Sequence, residues 1–350
     1  MTVNKLAQKD PSPQDKNFQA RENKKKTQEK TMSVEKNPPL YPRFPFAHTF
    51  SIVARDDETG CLGVAVQSHW FSVGSVVTWA EAGVGAVATQ ALVETSYGPL
   101  GLELMRAGKT ASEALKALLA ADDRQDLRQV AMVDTHGQVA THTGLRCMAD
   151  AGHSTGEGFS VQANMMANPA VWPAMAEAYR QNKGDLAERL ISALEAGQAA
   201  GGDIRGQQSA AILIVAATSS GKPWVDRLME LRVEDHPTPV KELRRLVEVH
   251  RAYQLMNQGD EYLGKNEIDK ALQAYQAAAS LVPYIDEIPF WHAVTLADLG
   301  RVDEALPIFN QVFNINPNWA ILLQRMLPAG MFHATPEIMK LILAQGTQSN

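Results

Sequence analysis

Cysteine is scarce. Cys61 and Cys147 are the two in 350 residues, so no disulfide framework braces the chain. Buried, reduced thiols in a cytoplasmic protein are the expected reading. Long apolar runs are missing too. None approaches the roughly 18 residues that a membrane span needs, and no membrane partner is expected. Positive charge is not in surplus: 33 Lys and Arg stand against 39 Asp and Glu, for a formal net charge of −6. That balance argues against a nucleic-acid partner. There is no Walker loop and no dinucleotide fingerprint. The glycines of GVGAVA, Gly83–Ala88, belong to a strand. His142, Cys147 and His153 fall at no zinc-site spacing, so no metal or other cofactor is expected.

The length predicts about two domains, and an apolar content of 45% supplies sizeable cores. Residues 1–48 differ from the rest. Ten Lys and Arg against five Asp and Glu leave them near +5 and the remainder near −11. So few apolar residues cannot offset the ordering entropy, and a disordered tail is expected. The Lys24–Lys26 run reads as a solvated charge cluster. An apolar core and a small-residue cleavage site are both missing, so the tail is not read as a signal peptide. Met32 is an alternative start. Tyr41–His48, YPRFPFAH, reads as a lead-in laid along the following domain.

From Thr49 to Gln90 short β-branched runs alternate with Gly- and Asp-rich turns, the signal of successive strands. They are expected at Phe50–Ala54, Cys61–Gln67, Ser75–Ala80 and Gly85–Thr89. Helical periodicity follows. Pro99 suits the first turn of a helix ending at Gly108, and Thr110 with Glu113 makes a capping box for the next. Gln129–Asp134 and Gln138–Thr143 read as a hairpin turning at His136-Gly137, and Phe159–Asn164 as a strand. Helices follow at Val171–Arg180 and Leu186–Ala196, the second opened by a capping box of Asp185 and Glu188. Ala210–Val215 and Leu228–Val233 are the last strands. This α+β order can pack as two sheets inside two helical layers. A single-sheet domain is the alternative.

Beyond a joining helix at 239–249, residues 250–317 repeat with a period of 34. Ala271 recurs as Ala305, Tyr275 as Phe309 and Pro283 as Pro317. With Gly259, Tyr262 and Ala278 they resemble the tetratricopeptide (TPR) pattern. Trp319–Met326 and Pro336–Ala344 are candidate caps, which makes 250–345 an all-α, TPR-like segment. Such arrays bind peptides or protein partners. The alternative is that two repeats only extend the first domain or mediate dimers. A homo-oligomer is expected.

Four stretches carry a wider resemblance: TFSIVARD from Thr49, GVAVQSHWFSVGSVV from Gly63, AGVGAVATQALVETSYGPLGL from Ala82, and GGDIRGQQSAA from Gly201. They closely resemble the domain of unknown function 1028 family, itself similar to N-terminal nucleophile (Ntn) hydrolases, over about Thr49–Leu246. The resemblance implies a four-layer αββα sandwich over 49–238. It also implies that Thr49 attacks an amide, with its own α-amine as base. An α-amine suits that role because its pKa is about 7.7–8.0. Forty-eight residues precede Thr49, so His48–Thr49 must first be cleaved. Otherwise Thr49 is only a strand residue. Ser51 shares its strand face and is a support or fallback nucleophile.

The loop Gly201–Ser209 is the most polar one beside a buried strand. Its glycines allow exposed backbone N–H groups of the kind an oxyanion site uses. Asp203 and Arg205 can pair to orient it. With Ser68 and Gln90 they predict a small polar pocket lined by Thr49, Ser68, Gln90, Asp203 and Ser209. The strands after Thr49 and Ser209 would lie side by side and parallel, with loop N–H groups facing the attacked carbonyl. Asp203 is the second catalytic candidate. The amide set Gln90, Asn164 and Gln208, joined by Gln162, suits an amide, urea or imide substrate. The alternative is a non-catalytic scaffold whose helical segment recruits a partner.

Overall fold

The computed structural model describes residues 46–347. The expectations for the basic tail, for Met32 and for the lead-in before Phe46 lie outside them. Two antiparallel sheets form the first part of the described chain. In one, β1 (Phe46–Ala47) and β4 (Thr78–Glu81) pair with one edge of β5 (Gly85–Leu92). Its other edge carries β6 (Arg128–Asp134) and then β7 (Val139–Thr143). The second sheet has the order β11 (Arg227–Val233), β10 (Ser209–Val215), β3 (Leu62–Ser68), β2 (Thr49–Arg55), β9 (Phe159–Ala163) and β8 (Gly152–Gly156).

Alternation along the strands assigns each residue a side. On β2, Phe50, Ile52 and Ala54 join the core beneath α4 (Val171–Gln181) and α5 (Leu186–Ala199). Val53 instead packs between the two sheets with Leu62, Val64 and Val66 of β3 and with Ala86, Ala88, Ala131 and Val133 of the other sheet. Val87, Val130 and Met132 turn to the outer side of that sheet. They pack under α2 (Tyr97–Arg106) and α3 (Ala111–Ala120). The small side chains allow the close approach: a Cβ on Gly98 would meet the Trp79 ring at 2.3 Å.

Three expectations change. Ser75–Ala80 is not one strand. The short helix α1 (Gly74–Val77) precedes β4, held by Ser75 and Thr78 hydroxyls on the Ser72 and Gly74 carbonyls. There Gly74 lies so close to Ala211 that a Cβ would sit at 2.5 Å, and packing overrides β propensity. β8 was unforeseen, because GHSTG is poor in strand formers. The box at Asp185 is half made: Asp185 accepts from Glu188 N, while the Glu188 carboxylate binds Arg244. The Thr110–Glu113 box is complete.

After the short helix α6 (Pro223–Asp226) and β11, the 26-residue α7 (Pro239–Gly264) runs unbroken through the segment read as a joining helix. Its Val240, Leu243 and Val247 complete the core beneath α5, and Arg244 ties it to Glu188 and Glu195. Helical hairpins follow. α7 packs with α8 (Ile268–Leu281), burying Ala271, Tyr275 and Ala278. α9 (Glu287–Asp298) packs with α10 (Val302–Ile315), burying Ala305 and Phe309 at the equivalent positions. α11 (Asn318–Met326) and α12 (Pro336–Leu343) cover the end of that core through Leu323, Met326, Met339 and Ile342. Among the described residues no helix is long and apolar enough to cross a membrane.

Candidate functional site

One half of the space between the sheets is apolar, and the other is filled with hydroxyls and amides. Thr49, Ser68 and Ser209 lie opposite one another in register on β2, β3 and β10, all facing inward by the alternation above. The strands after Thr49 and Ser209 do run parallel, as expected. They are not neighbours, however: β3 lies between them and supplies Ser68.

The peptide bond before Thr49 is at the centre. The His48 carbonyl accepts hydrogen bonds from Ser68 Oγ at 2.5 Å and from Arg205 Nη2 at 2.9 Å. Thr49 is wholly buried, and its hydroxyl donates to the Ala47 carbonyl at 2.6 Å. The Asp203 side chain is fully buried. It accepts from Arg205 Nη2 at 2.7 Å, Arg205 Nε at 3.0 Å and Arg205 N at 2.9 Å, and from His69 N at 3.3 Å. Asp203 therefore fixes the guanidinium that fixes the carbonyl. The loop can follow this path because Gly201, Gly202 and Gly206 have positive φ. The expected donors change: a hydroxyl and a guanidinium hold the carbonyl, while the N–H of Arg205 serves Asp203.

Behind Thr49 lies a buried amide network. Ser51 Oγ donates to Gln90 Oε1 and accepts from Gln162 Nε2, both at 2.6 Å. Gln90 Nε2 donates to Gln129 Oε1 at 2.7 Å and to the Thr49 carbonyl at 3.2 Å. Gln129 Oε1 also accepts from Asn164 Nδ2 at 2.9 Å, and Asn164 Oδ1 meets His48 Nδ1 at 2.7 Å. Gln129 Nε2 reaches Thr143 Oγ1, which contacts His153 Nδ1 at 2.8 Å. Ser51, Gln90, Gln129, Gln162 and Asn164 are all 0% exposed. Such satisfied networks rigidify their surroundings. Burial lowers the His48 pKa, opposed by the Asn164 hydrogen bond, so the imidazole is neutral near pH 7.

The structure thus gathers Thr49, Ser68, Asp203 and Arg205 around one carbonyl, with Gln90 and Asn164 behind it. Two candidates point elsewhere. Ser209 Oγ donates to the Trp70 carbonyl and accepts from Val73 N. Gln208 Nε2 donates to Asp235. Gln129 went unnoticed in the sequence. It shares a strand face with Ala131 and Val133, and a polar residue continuing an inward apolar row was the available signal. His142 contacts the Gln125 carbonyl, and Cys147 donates to the Arg128 carbonyl. Burial pushes the Cys147 thiol up to about 11.

The chain over residues 49–243 matches the model of the "Family of unknown function (DUF1028)", more than half of its length. The chain belongs to the DUF1028 family. The chain is similar to the crystal structure of protein SPO2555 from Silicibacter pomeroyi, itself assigned to DUF1028. The identity is 30% and the TM-score 0.53, over 58% of this chain and 85% of that one. A more distant likeness is to Anbu (ancestral beta-subunit) from Yersinia bercovieri, at 10% identity and a TM-score of 0.30, over 56% of this chain and 92% of that one. No curated protein matches this DUF1028 chain.

Proposed function

We propose that the chain is an N-terminal-nucleophile hydrolase that cleaves a C–N bond of an amide, urea or imide, with Thr49 as nucleophile. On this reading the two sheets and their outer helices are the four-layer αββα sandwich of that class. Residues 250–345 are a TPR-like segment for protein contacts or dimerisation, and the protein is cytoplasmic.

The observation that carries the reading is the His48 carbonyl, held by Ser68 Oγ and Arg205 Nη2 beside the Thr49 hydroxyl. Two donors on a carbonyl next to a hydroxyl stabilise the oxyanion that forms when the carbonyl is attacked. In maturation Thr49 Oγ1 attacks the His48 carbonyl carbon. A C–O ester bond forms as the C–N bond breaks, and the hydroxyl proton passes to the departing Thr49 nitrogen. Water hydrolyses the ester, releasing the His48 carboxylate and restoring the hydroxyl beside a free α-amine. That amine, with an ordinary pKa near neutrality, then serves as the base. Substrate follows the same course, with its own nitrogen leaving. Ser68 and Arg205 polarise the carbonyl, and Asp203 holds Arg205.

Intact mass and N-terminal sequencing of purified full-length protein test this. The expected product begins at Thr49 and is absent for Thr49→Ala. A chain that stays uncleaved yet hydrolyses amides overturns the mechanism. The complete burial of Thr49 in the intact chain favours one other reading, a non-catalytic scaffold acting through its helical segment. Then Thr49→Ala would leave biological function intact, and deletion of 250–350 would abolish it.

A further inference from the structure

We propose that the site takes an extended peptide chain and cleaves the amide after a residue with a short N–H-bearing side chain, histidine in the first place. The inference rests on the hydrolase reading above and narrows it from amides, ureas and imides in general to one kind of amide.

The chain's own segment before Thr49 shows what the site holds. The ester formed in maturation joins the His48 acyl group to Thr49 Oγ1. A peptide substrate ending in Phe-Ala-His at the cleaved bond gives an ester of the same acyl chain on the same oxygen. The groove that accepts one accepts the other. Three features of that groove are specific. Phe46 and Ala47 pair antiparallel with Leu92 and Ala91 of β5, so the acyl chain enters as an added strand. Strand addition gives affinity through the main chain and leaves selection to side-chain pockets. The carbonyl at the end of that strand is gripped by Ser68 and Arg205.

The third feature is selection by Asn164. Its Oδ1 lies 2.7 Å from His48 Nδ1, and its Nδ2 is committed to Gln129 Oε1 at 2.9 Å. Gln129 is itself oriented by Gln90 Nε2, and Gln90 by Ser51. The relay fixes the Asn164 amide with its oxygen toward the imidazole. A fixed, buried acceptor calls for a donor, here the Nδ1–H of a neutral ring. A leucine or phenylalanine there leaves the oxygen unpaired, and a site built around a hydrogen bond rejects the analogue lacking it. A urea or a cyclic imide has no strand to add along β5 and no side chain for Asn164.

In the reaction Thr49 Oγ1 attacks the histidyl carbonyl carbon. The C–O bond forms, the C–N bond breaks, and the α-amine of Thr49 relays the hydroxyl proton to the leaving nitrogen. Water then cleaves the ester to the peptide carboxylate and free Thr49.

The test uses full-length protein that has matured, as verified by intact mass. It is assayed with acetyl-Phe-Ala-His-, acetyl-Phe-Ala-Leu- and acetyl-Phe-Ala-Phe-aminomethylcoumarin, and with acetyl-His-aminomethylcoumarin. The expected kcat/KM for the first exceeds that for the leucine and phenylalanine peptides by on the order of ten- to a hundredfold. The single-residue substrate is slower, and the free acid acetyl-Phe-Ala-His inhibits competitively. A matured protein that does not discriminate among the peptides, or leaves them all intact, overturns the inference while the maturation itself stands. A chain that never cleaves His48–Thr49 overturns the hydrolase reading and this inference with it.

Discussion

Replacing Ser51 by alanine isolates what the buried network contributes. Among the described residues the Ser51 hydroxyl is the one partner of Gln90 Oε1, to which it donates, and of Gln162 Nε2, from which it accepts, both at 2.6 Å. All three side chains are 0% exposed, so water does not replace the lost oxygen without rearrangement. Each buried polar group left unpaired costs about 1–3 kcal/mol. Two such groups set the loss at about 2–6 kcal/mol, a large fraction of an ordinary stability of about 5–15 kcal/mol. Equilibrium urea unfolding followed by tryptophan fluorescence reads this as a lower midpoint at unchanged slope. Ser75→Ala removes an exposed hydroxyl whose bond is to the Ser72 carbonyl. It is the control, expected within about 0.5 kcal/mol of the parent. Adding Gln162→Met to Ser51→Ala removes one of the orphaned groups, so the double variant should be more stable than the sum of the single losses predicts. A Ser51→Ala protein within about 0.5 kcal/mol of the parent would refute the reasoning.

Two further outcomes follow. Ser68→Ala removes a donor to the His48 carbonyl and should slow appearance of the Thr49 N-terminus by about 10²–10³-fold in a mass time course; an unchanged rate removes Ser68 from the step. Acidification should destabilise the uncleaved chain. Burial lowers the pKa of His48, and burial with the charge of His142 lowers that of His153. Both imidazoles therefore bind protons less readily folded than unfolded. Their contribution is present above the unfolded value of about 6.5 and is lost as pH falls below it. Glu188, held low by the Arg244 hydrogen bond, adds a further loss below its own unfolded value of about 4.3. A melting temperature that is flat or rises between pH 7.5 and 5.5 would contradict the histidine assignment.

Local chemistry was legible where a residue's partner lies close in sequence. The Thr110–Glu113 box and the turn at Gly137, with its positive φ, follow from a few adjacent residues. Alternation placed Ser51 on the face of Thr49 on β2. The 34-residue period placed Tyr275 and Phe309 in equivalent buried positions. What stayed illegible depends on distant chain. β8 has a glycine at each end because Gly152 faces the Trp172 ring and Gly156 the Phe159 ring, where a Cβ would meet ring carbons at 2.6 Å and 2.1 Å. Neither ring is called for by GHSTG itself. Glu188 reads as a capping residue until Arg244, on another helix, takes its carboxylate.

The polar half of the inter-sheet space is where the sequence departs most from what stability alone asks. On β2 and β3 the inward row continues from Val53 to Ser51 and Thr49, and from Val66 to Ser68. On β6 it continues from Ala131 to Gln129. In each case the change from apolar to polar comes at the end of the strand nearest His48. Apolar residues there would remove every obligation to pair buried amides, and fully satisfied networks gain little over a packed apolar core. What the amides add is orientation. Ser51, Gln90 and Gln129 constrain one another until Asn164 has a single arrangement left, with its oxygen at the His48 ring. Asp203 leaves Arg205 in one arrangement as well, with Nη2 at the His48 carbonyl. Both fixed groups converge on the residue before Thr49, one on its side chain and the other on its carbonyl. A scaffold that used only the outer surfaces of the fold would have no use for either.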